Sequence, residues 1–246
     1  MTYLAGIDVS KYNGDANLKG LAFAIVRATY GSTLDPKFVH HLTRFQAAGL
    51  PTGAYHFGVG GAQTAIAMQA TAFLATTKKA DFLALDMEAN WLRRADGTRY
   101  RGPTMTKDEG RKFILLLRAG APSKKVLLYS SRGTWPGDLG QDANWVADYT
   151  GQPDRLLTRP RIKWLFWQWQ GAPLDRNKFN GDLSALRWFA GKSPAPVALP
   201  PVSTSVLTAL RKLIANLAAV VSPTQAQKDK LALYKARLIA YLKRNQ

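Results

Sequence analysis

Short apolar runs, separated by polar and glycine-rich stretches, dominate the first 190 residues of the chain. Each run is bounded by turn residues, which is typical of buried β-strands. Between the second and third of these runs, Phe38, Leu42 and Phe45 repeat at helical spacing and predict a helix. A second helix is expected over about 62–77. Strands that alternate with helices predict parallel βαβ units. The four apolar runs are GIDVS (6–10), FAIVRATYG (23–31), PTGAYHFGVGG (51–61) and FLALDMEAN (82–90).

The second half of the chain has closely spaced strands with little room for helices. Its apolar runs are KVLLYSS (125–131), NWVADY (144–149) and KWLFWQW (163–169). The segments 89–105 and 171–182 have no such pattern and are expected to be loops. Together the two halves predict an α/β fold, an irregular TIM-like (β/α) barrel with fewer helices in its second half.

Several single residues give local predictions. Asp35 and Pro36 are expected to open the first helix, as N-cap and first helical residue. Arg27 interrupts a buried strand and needs a partner, because an unpaired buried charge is costly. His40 and His41 have no acidic or cysteine cluster near them in the sequence and are expected to lie on the surface.

A change of composition after residue 191 predicts a second unit. The barrel is expected over 1–191, a Pro/Ser-rich linker over 192–204 and a helical hairpin with an apolar seam over 205–246. Residues 203–246 hold eight basic residues and one acidic residue. The hairpin is open to three interpretations: a brace on the barrel, a cationic element that binds the cell wall or outer membrane, or a dimer contact.

Charge and composition narrow the class of protein. Lys and Arg number 34 against 16 acidic residues, a formal charge of +18, which either attracts polyanions or serves solubility. The absence of cysteine excludes disulfides and thiolate metal sites. No apolar run is long enough to span a bilayer, and the N-terminus lacks a secretory pattern, so synthesis in the cytoplasm is expected.

Two carboxylates stand at the end of the fourth apolar run. Asp86 and Glu88 occupy alternate positions and therefore share a face, about 6–7 Å apart at the backbone. That spacing suits two groups acting on one glycosidic oxygen and its anomeric carbon. An isolated Asp-x-Glu is more often a solvated strand end, so the wider pattern decides. In a barrel, catalytic side chains gather at the C-terminal ends of strands. Near such ends lie Asp8, Tyr55, Phe57, Asp86, Glu88, Tyr129 and Tyr149.

These segments resemble glycoside hydrolase family 25, the lysozymes (N-acetylmuramidases) common among phage endolysins. The resemblance covers about residues 4–190, and its motifs are individually weak but follow in the family's order. They are GIDVSKYNG, FAIVRATYG, DPKF, AAGLPTGAYHF, LALDME, WVADY, WQW and LDRNKFNG.

The resemblance implies a peptidoglycan hydrolase that cleaves the β-1,4 bond between N-acetylmuramic acid and N-acetylglucosamine and acts on the bacterial wall. The family's acidic residues correspond to Asp8, Asp86, Glu88 and Asp175. Glu88 would be the general acid, although residue types alone do not tell which of the pair keeps the proton. Asp86 would orient the 2-acetamido group, the internal nucleophile in similar enzymes, or stabilise positive charge at the anomeric carbon. Asp8 and Asp175 would hold sugar, water or the pKa of Glu88.

Aromatic side chains offer flat apolar surfaces to sugar rings. Tyr55, Phe57, Tyr129, Trp145 and Tyr149 are the candidate substrate-binding residues, with packing in the barrel core as the alternative for each. Two other functions compete with hydrolysis: a non-catalytic peptidoglycan-binding barrel, and a nucleic-acid-binding protein suggested by charge alone. No cofactor, metal or nucleic-acid partner is expected.

Overall fold

The computed structural model describes residues 3–150 and 162–192, so the linker and cationic hairpin expected beyond residue 192 lie outside the described residues. The described chain forms eleven strands and four α-helices. The strands are β1 (Leu4–Val9), β2 (Phe23–Tyr30), β3 (Thr33–Leu34), β4 (Thr52–Phe57), β5 (Phe82–Asp86), β6 (Trp91–Arg93), β7 (Arg99–Arg101), β8 (Val126–Ser131), β9 (Ala143–Ala147), β10 (Phe166–Gln170) and β11 (Asp175–Phe179). The helices are α1 (Phe38–Ala47), α2 (Gln63–Thr76), α3 (Lys107–Gly120) and α4 (Leu183–Phe189).

Eight strands close into a barrel, in the order β1-β2-β4-β5-β8-β9-β10-β11. Neighbours are parallel from β1 through β10, whereas β11 runs antiparallel to both β10 and β1. The closing pair aligns Asp8 with Asp175. The predicted irregular (β/α) barrel, with its helices concentrated in the first half, is therefore confirmed.

Two segments expected to be loops contain strands. Within 171–182 the chain forms β11, which closes the barrel. Within 89–105 it forms the antiparallel hairpin of β6 and β7, with Trp91 opposite Arg101. The loop predictions for these two segments were wrong, because backbone pairing there does not depend on an apolar alternation in the sequence.

The barrel wall separates two apolar layers, and alternation along each strand divides the side chains between them. Val26 in β2 faces the helices, whereas Phe23 and Ile25 face the barrel interior. Large aromatic rings fit inside the barrel because glycine residues on neighbouring strands leave room for them. A Cβ atom at Gly53 would lie 2.2 Å from the ring of Phe82, so any larger residue at position 53 would displace that ring.

The local predictions had mixed outcomes. Arg27 is buried and its Nε lies 2.8 Å from Asp35 Oδ2, which supplies the expected partner. Asp35 does not cap the helix, because α1 begins at Phe38 and Lys37 is its N-cap residue. A capping box opens α3, where Thr106 and Glu109 exchange side-chain to backbone hydrogen bonds.

The prediction that both histidines of α1 lie on the surface was wrong for one of them. His40 is exposed, whereas His41 is 1% exposed and its ring stacks on Phe45 at a centroid distance of 6.0 Å. Within the part of the chain that is described, no helix combines the length and apolar character needed to cross a membrane.

Candidate active site

The C-terminal ends of the barrel strands surround a polar cavity of about 210 Å³. All four predicted carboxylates line it, although they come from three separate stretches of the chain: β1, the end of β5 with the residues that follow it, and the start of β11. The lining residues are Asp8, Tyr55, Asp86, Glu88, Tyr129, Trp145, Tyr149, Gln168 and Asp175.

A hydrogen-bond network fixes the carboxylate of Asp8 at the bottom of the cavity. Its Oδ2 accepts hydrogen bonds from Gln168 Nε2 at 2.8 Å and from Asn177 Nδ2 at 2.7 Å. The Oε1 of Gln168 in turn accepts from the hydroxyls of Tyr129 and Tyr149, at 2.8 Å and 2.6 Å. Because both amide groups are oriented by other partners, Asp8 has little freedom to move.

Sequence reasoning did not select Gln168 and Asn177 as site residues. Asn177 Oδ1 accepts a 2.7 Å hydrogen bond from Trp145 Nε1, so a core tryptophan orients the amide that binds Asp8. The signal for Gln168 was present in the sequence, as a single polar residue between two tryptophans in an otherwise apolar run. A polar residue at an inward position of such a strand indicates a partner inside the barrel.

Asp86 and Glu88 differ in their access to the cavity. Asp86 is 4% exposed, and its Oδ1 is buried with no hydrogen-bond partner among the described residues. Glu88 and Asp175 are only partly buried. An unpaired buried carboxylate oxygen is unfavourable in the free protein. Lack of a partner for this oxygen favours the protonated form of the Asp86 carboxyl over the ionised form.

Crowding and burial raise the pKa of all four carboxyls. Burial raises the pKa of Glu88 to about 7, and the charge of Asp8 adds to this effect. Burial, followed by the charge of Asp8, raises the pKa of Asp175 to about 8, and burial raises that of Asp8 to about 6. The pKa of Asp86 is raised well above its usual range by burial and then by the charge of Glu88. The group therefore retains protons near neutral pH.

The predicted aromatic residues fall into three environments. Tyr55 and Tyr129 are buried in the cavity wall, whereas Tyr149 is 59% exposed at its edge. Trp145 is 1% exposed and contributes to the barrel core as well as to the cavity. Phe57 does not line the cavity; its ring stacks on that of Tyr30, with centroids 4.9 Å apart.

A second titratable cluster lies between α1 and the loop that joins β1 to β2. Asp15 Oδ1 is 2.7 Å from His40 Nε2, and the ligand atoms of Asp15, His40 and His41 lie within 4.8 Å of one another. Arg44 Nε lies 3.9 Å from Asp15 Oδ2, and Lys37 adds further positive charge beside His41. These cations oppose the binding of a metal ion there.

Comparison with known proteins identifies the family. A sequence model of glycosyl hydrolases family 25 matches residues 7–176. Lysozyme M1 of Streptomyces globisporus is 28% identical over 221 residues, which cover 74% of this chain and 69% of that protein.

Solved structures agree on the fold. The catalytic domain of endolysin ply40, from bacteriophage P40 of Listeria monocytogenes, superposes with a TM-score of 0.62 at 23% identity, covering 78% of this chain and 98% of that domain. A family 25 glycosyl hydrolase from Bacillus anthracis gives a TM-score of 0.58 at 23% identity, and the superposition covers 77% of this chain and 93% of that one. At these identities the superpositions establish the barrel. The family match over residues 7–176, together with the similarity to lysozyme M1, shows that the chain belongs to glycosyl hydrolases family 25 and is a glycoside hydrolase of the lysozyme type.

Proposed function

We propose that this chain hydrolyses peptidoglycan at the β-1,4 bond between N-acetylmuramic acid and N-acetylglucosamine. The observation that carries the proposal is the convergence of four carboxyl groups on one cavity at the catalytic end of the barrel. Glycoside hydrolysis requires one carboxyl that donates a proton and another group that stabilises positive charge at the anomeric carbon. The raised pKa values and unequal access of the four carboxyls supply both kinds of group.

Glu88 is the proposed general acid. A pKa of about 7 keeps a large fraction of this carboxyl protonated at neutral pH, and its partial exposure gives it access to a glycosidic oxygen. Its proton passes to the leaving oxygen as the glycosidic bond breaks. Asp175 has a similar exposure and a pKa of about 8, so it is the competing donor that mutagenesis must separate from Glu88.

Asp86 is proposed to act on the sugar and not on the leaving group. Its carboxyl group lines the cavity and would accept a hydrogen bond from the N–H of the 2-acetamido group. That contact orients the acetamido oxygen toward the anomeric carbon, where the oxygen acts as the internal nucleophile. Asp8, whose carboxyl ionises at lower pH than that of the neighbouring Asp175, supplies negative charge in the cavity as positive charge develops on the sugar.

The direct test is release of reducing ends from purified peptidoglycan, with the products identified by mass. Muramidase activity leaves N-acetylmuramic acid at each new reducing end. Glu88→Gln keeps the shape of the side chain but removes the donated proton, so turnover should fall about 10²- to 10⁴-fold. Asp175→Asn is the matched comparison and should be milder. If the native protein binds peptidoglycan but releases no reducing ends, the chain is a non-catalytic binding barrel.

A role in bacterial lysis during phage release is the biological setting we propose, with the bacterial cell wall as the place of action. The tail over 205–246 is proposed to add affinity for an anionic wall or outer-membrane surface, because residues 203–246 carry eight basic residues against one acidic residue. A chain ending at Gly191 should then cleave soluble muropeptide chains normally but lyse whole cells poorly. Equal loss of both activities would indicate a brace instead.

A further inference from the structure

The hairpin of β6 and β7 joins β5 to α3 and therefore stands at the catalytic end of the barrel. It begins three residues after Glu88 and is anchored through Asn90. The backbone oxygen of Asn90 accepts from Gly102 N–H at 2.7 Å, and its side chain accepts from the hydroxyl of Tyr30. Because the base is held by these contacts, the hairpin has a defined position beside the cavity.

The outer face of this hairpin is cationic. Residues alternate between its two faces, so Trp91, Arg93, Arg99 and Arg101 share one face, while Leu92 packs against Gly102 on the other. All four residues of the first face are exposed. Among the described residues, no carboxylate forms an ion pair with any of the three arginines.

Aromatic rings hold two guanidinium groups of the hairpin in place. Arg99 Cζ lies 5.1 Å from the centre of the Trp91 ring, and Arg94 Cζ lies 4.8 Å from that of Tyr100. Trp91 remains 53% exposed and Tyr100 37% exposed. A guanidinium stacked on a ring keeps its N–H groups free at its edge, where they can bind a carboxylate in a bidentate manner. The Arg94–Tyr100 pair belongs to the face of Leu92, so the first face combines one oriented guanidinium, that of Arg99, with the exposed ring of Trp91.

We propose that this face binds the carboxylate groups of the stem peptides that peptidoglycan carries along its glycan strands. The inference rests on the proposed function, because a muramidase must hold a glycan strand across its cavity with the attached peptides projecting from it. Peptide carboxylates match the three arginines of this face in charge, and they match the oriented guanidinium of Arg99 in geometry as well. Trp91 would pack against the apolar part of the same peptide.

The experiment combines a change in the protein with a change in the substrate. Soluble peptidoglycan strands, freed of phosphate-bearing wall polymers, are compared before and after their carboxyl groups are capped as amides. The variant is Arg93→Gln/Arg99→Gln/Arg101→Gln. The control is Lys19→Gln/Lys78→Gln/Lys79→Gln, which removes three exposed charges near the starts of β2 and β5, at the opposite end of the barrel.

Exposed ion pairs are weak individually, so the triple arginine change should lower kcat/KM on uncapped strands about 3- to 10-fold, mainly through KM. Capping the carboxyl groups of the substrate should lower kcat/KM of the native enzyme by a similar factor. It should leave kcat/KM of the arginine variant nearly unchanged. The lysine control should follow the native enzyme on both substrates. Equal effects of the arginine and lysine changes, or an arginine effect that persists on capped strands, would overturn the proposal.

Binding separates failure of this inference from failure of the proposed function. Glu88→Gln protein, alone and combined with the arginine changes, is mixed with insoluble peptidoglycan, and the unbound protein is measured after sedimentation. Weaker binding caused by the arginine changes or by capping, without further loss when both are present, supports the peptide contact even if no cleavage occurs. Unchanged binding in all combinations would reject it even if the chain proves to be a muramidase.

Discussion

Replacing Glu88 with glutamine is expected to stabilise the protein while it abolishes activity. An unfolded glutamate ionises near 4.5, whereas burial and the charge of Asp8 raise the pKa of Glu88 to about 7. Between these pH values the folded state binds more protons, so the free energy of unfolding falls as pH rises. At about 1.4 kcal/mol per pKa unit, the full difference is about 3 kcal/mol. Since Glu88 shares its repulsion with Asp8, we expect a gain of about 1–3 kcal/mol above pH 7.

Thermal unfolding measured by circular dichroism at about pH 4 and pH 8 tests this sign directly. For a chain of this size, such a gain corresponds to an increase in Tm of about 2–10 °C at pH 8, and little change is expected at pH 4. Glu109→Gln is the control variant: it replaces the same side chain in the same way, but its Tm is expected to change in the opposite direction. Burial alone would raise the pKa of Glu109, but hydrogen bonds from the backbone of Thr106 and Gly61 lower it. Glu109→Gln should therefore reduce Tm at pH 8.

The reasoning fails if Glu88→Gln has the same Tm as the native protein at both pH values, or a lower Tm at pH 8. Either result would mean that the folded protein does not destabilise the ionised form of Glu88. The side chain would then not keep its proton near neutral pH for acid catalysis. An increase of equal size at pH 4 and pH 8 would also contradict it, because that pattern reflects packing and not charge.

Three further outcomes follow from the buried charges. The kcat/KM profile against pH should be bell-shaped, with activity lost as pH rises through about 7 because Glu88 gives up its proton; a profile that stays flat to pH 9 would contradict this. Asp35→Ala leaves Arg27 buried without its partner, so urea denaturation should show a loss of about 3–5 kcal/mol, and a loss below about 1 kcal/mol would refute it. Burial lowers the pKa of His56 to about 3, so stability should decline as pH falls below 6.5, and His56→Gln should reduce that dependence in acid denaturation curves.

The strands that sequence reasoning identified are those whose inward and outward faces are both apolar. β11 escaped it because two of its inward positions, Asp175 and Asn177, are polar groups that serve the cavity. With polar residues at two successive inward positions, β11 lacks the apolar alternation by which strands are recognised. The hairpin of β6 and β7 was not predicted for a related reason. Most of its residues are exposed and several are arginines, so its strands have no apolar face.

Asp8, Asp86 and Glu88 could be predicted because they stand at the C-terminal ends of strands, where alternation and position are visible in the sequence, whereas Asp175 was indicated only by the family resemblance. Their partners could not, since Gln168 and Asn177 come from strands that are distant from Asp8 along the chain. His41 shows the same limit: its burial follows from where α1 packs on the barrel, a fact that no local pattern contains. Spacing predicts which residues share an element, and only the closed barrel determines which elements meet.

Because β11 closes the barrel, the complete cavity can form only late in synthesis and folding. Asp8 and Asn177, 169 positions apart, must meet before the network at the cavity floor exists. Such long-range pairing is slow compared with helix formation. During synthesis, the chain must be made beyond Phe179 before the cavity is complete, since β11 supplies both Asp175 and Asn177. With the proposed catalytic groups, an incompletely made or partly folded chain is expected to be inert, and the first appearance of hydrolysis in a refolding experiment should report the pairing of β1 with β11.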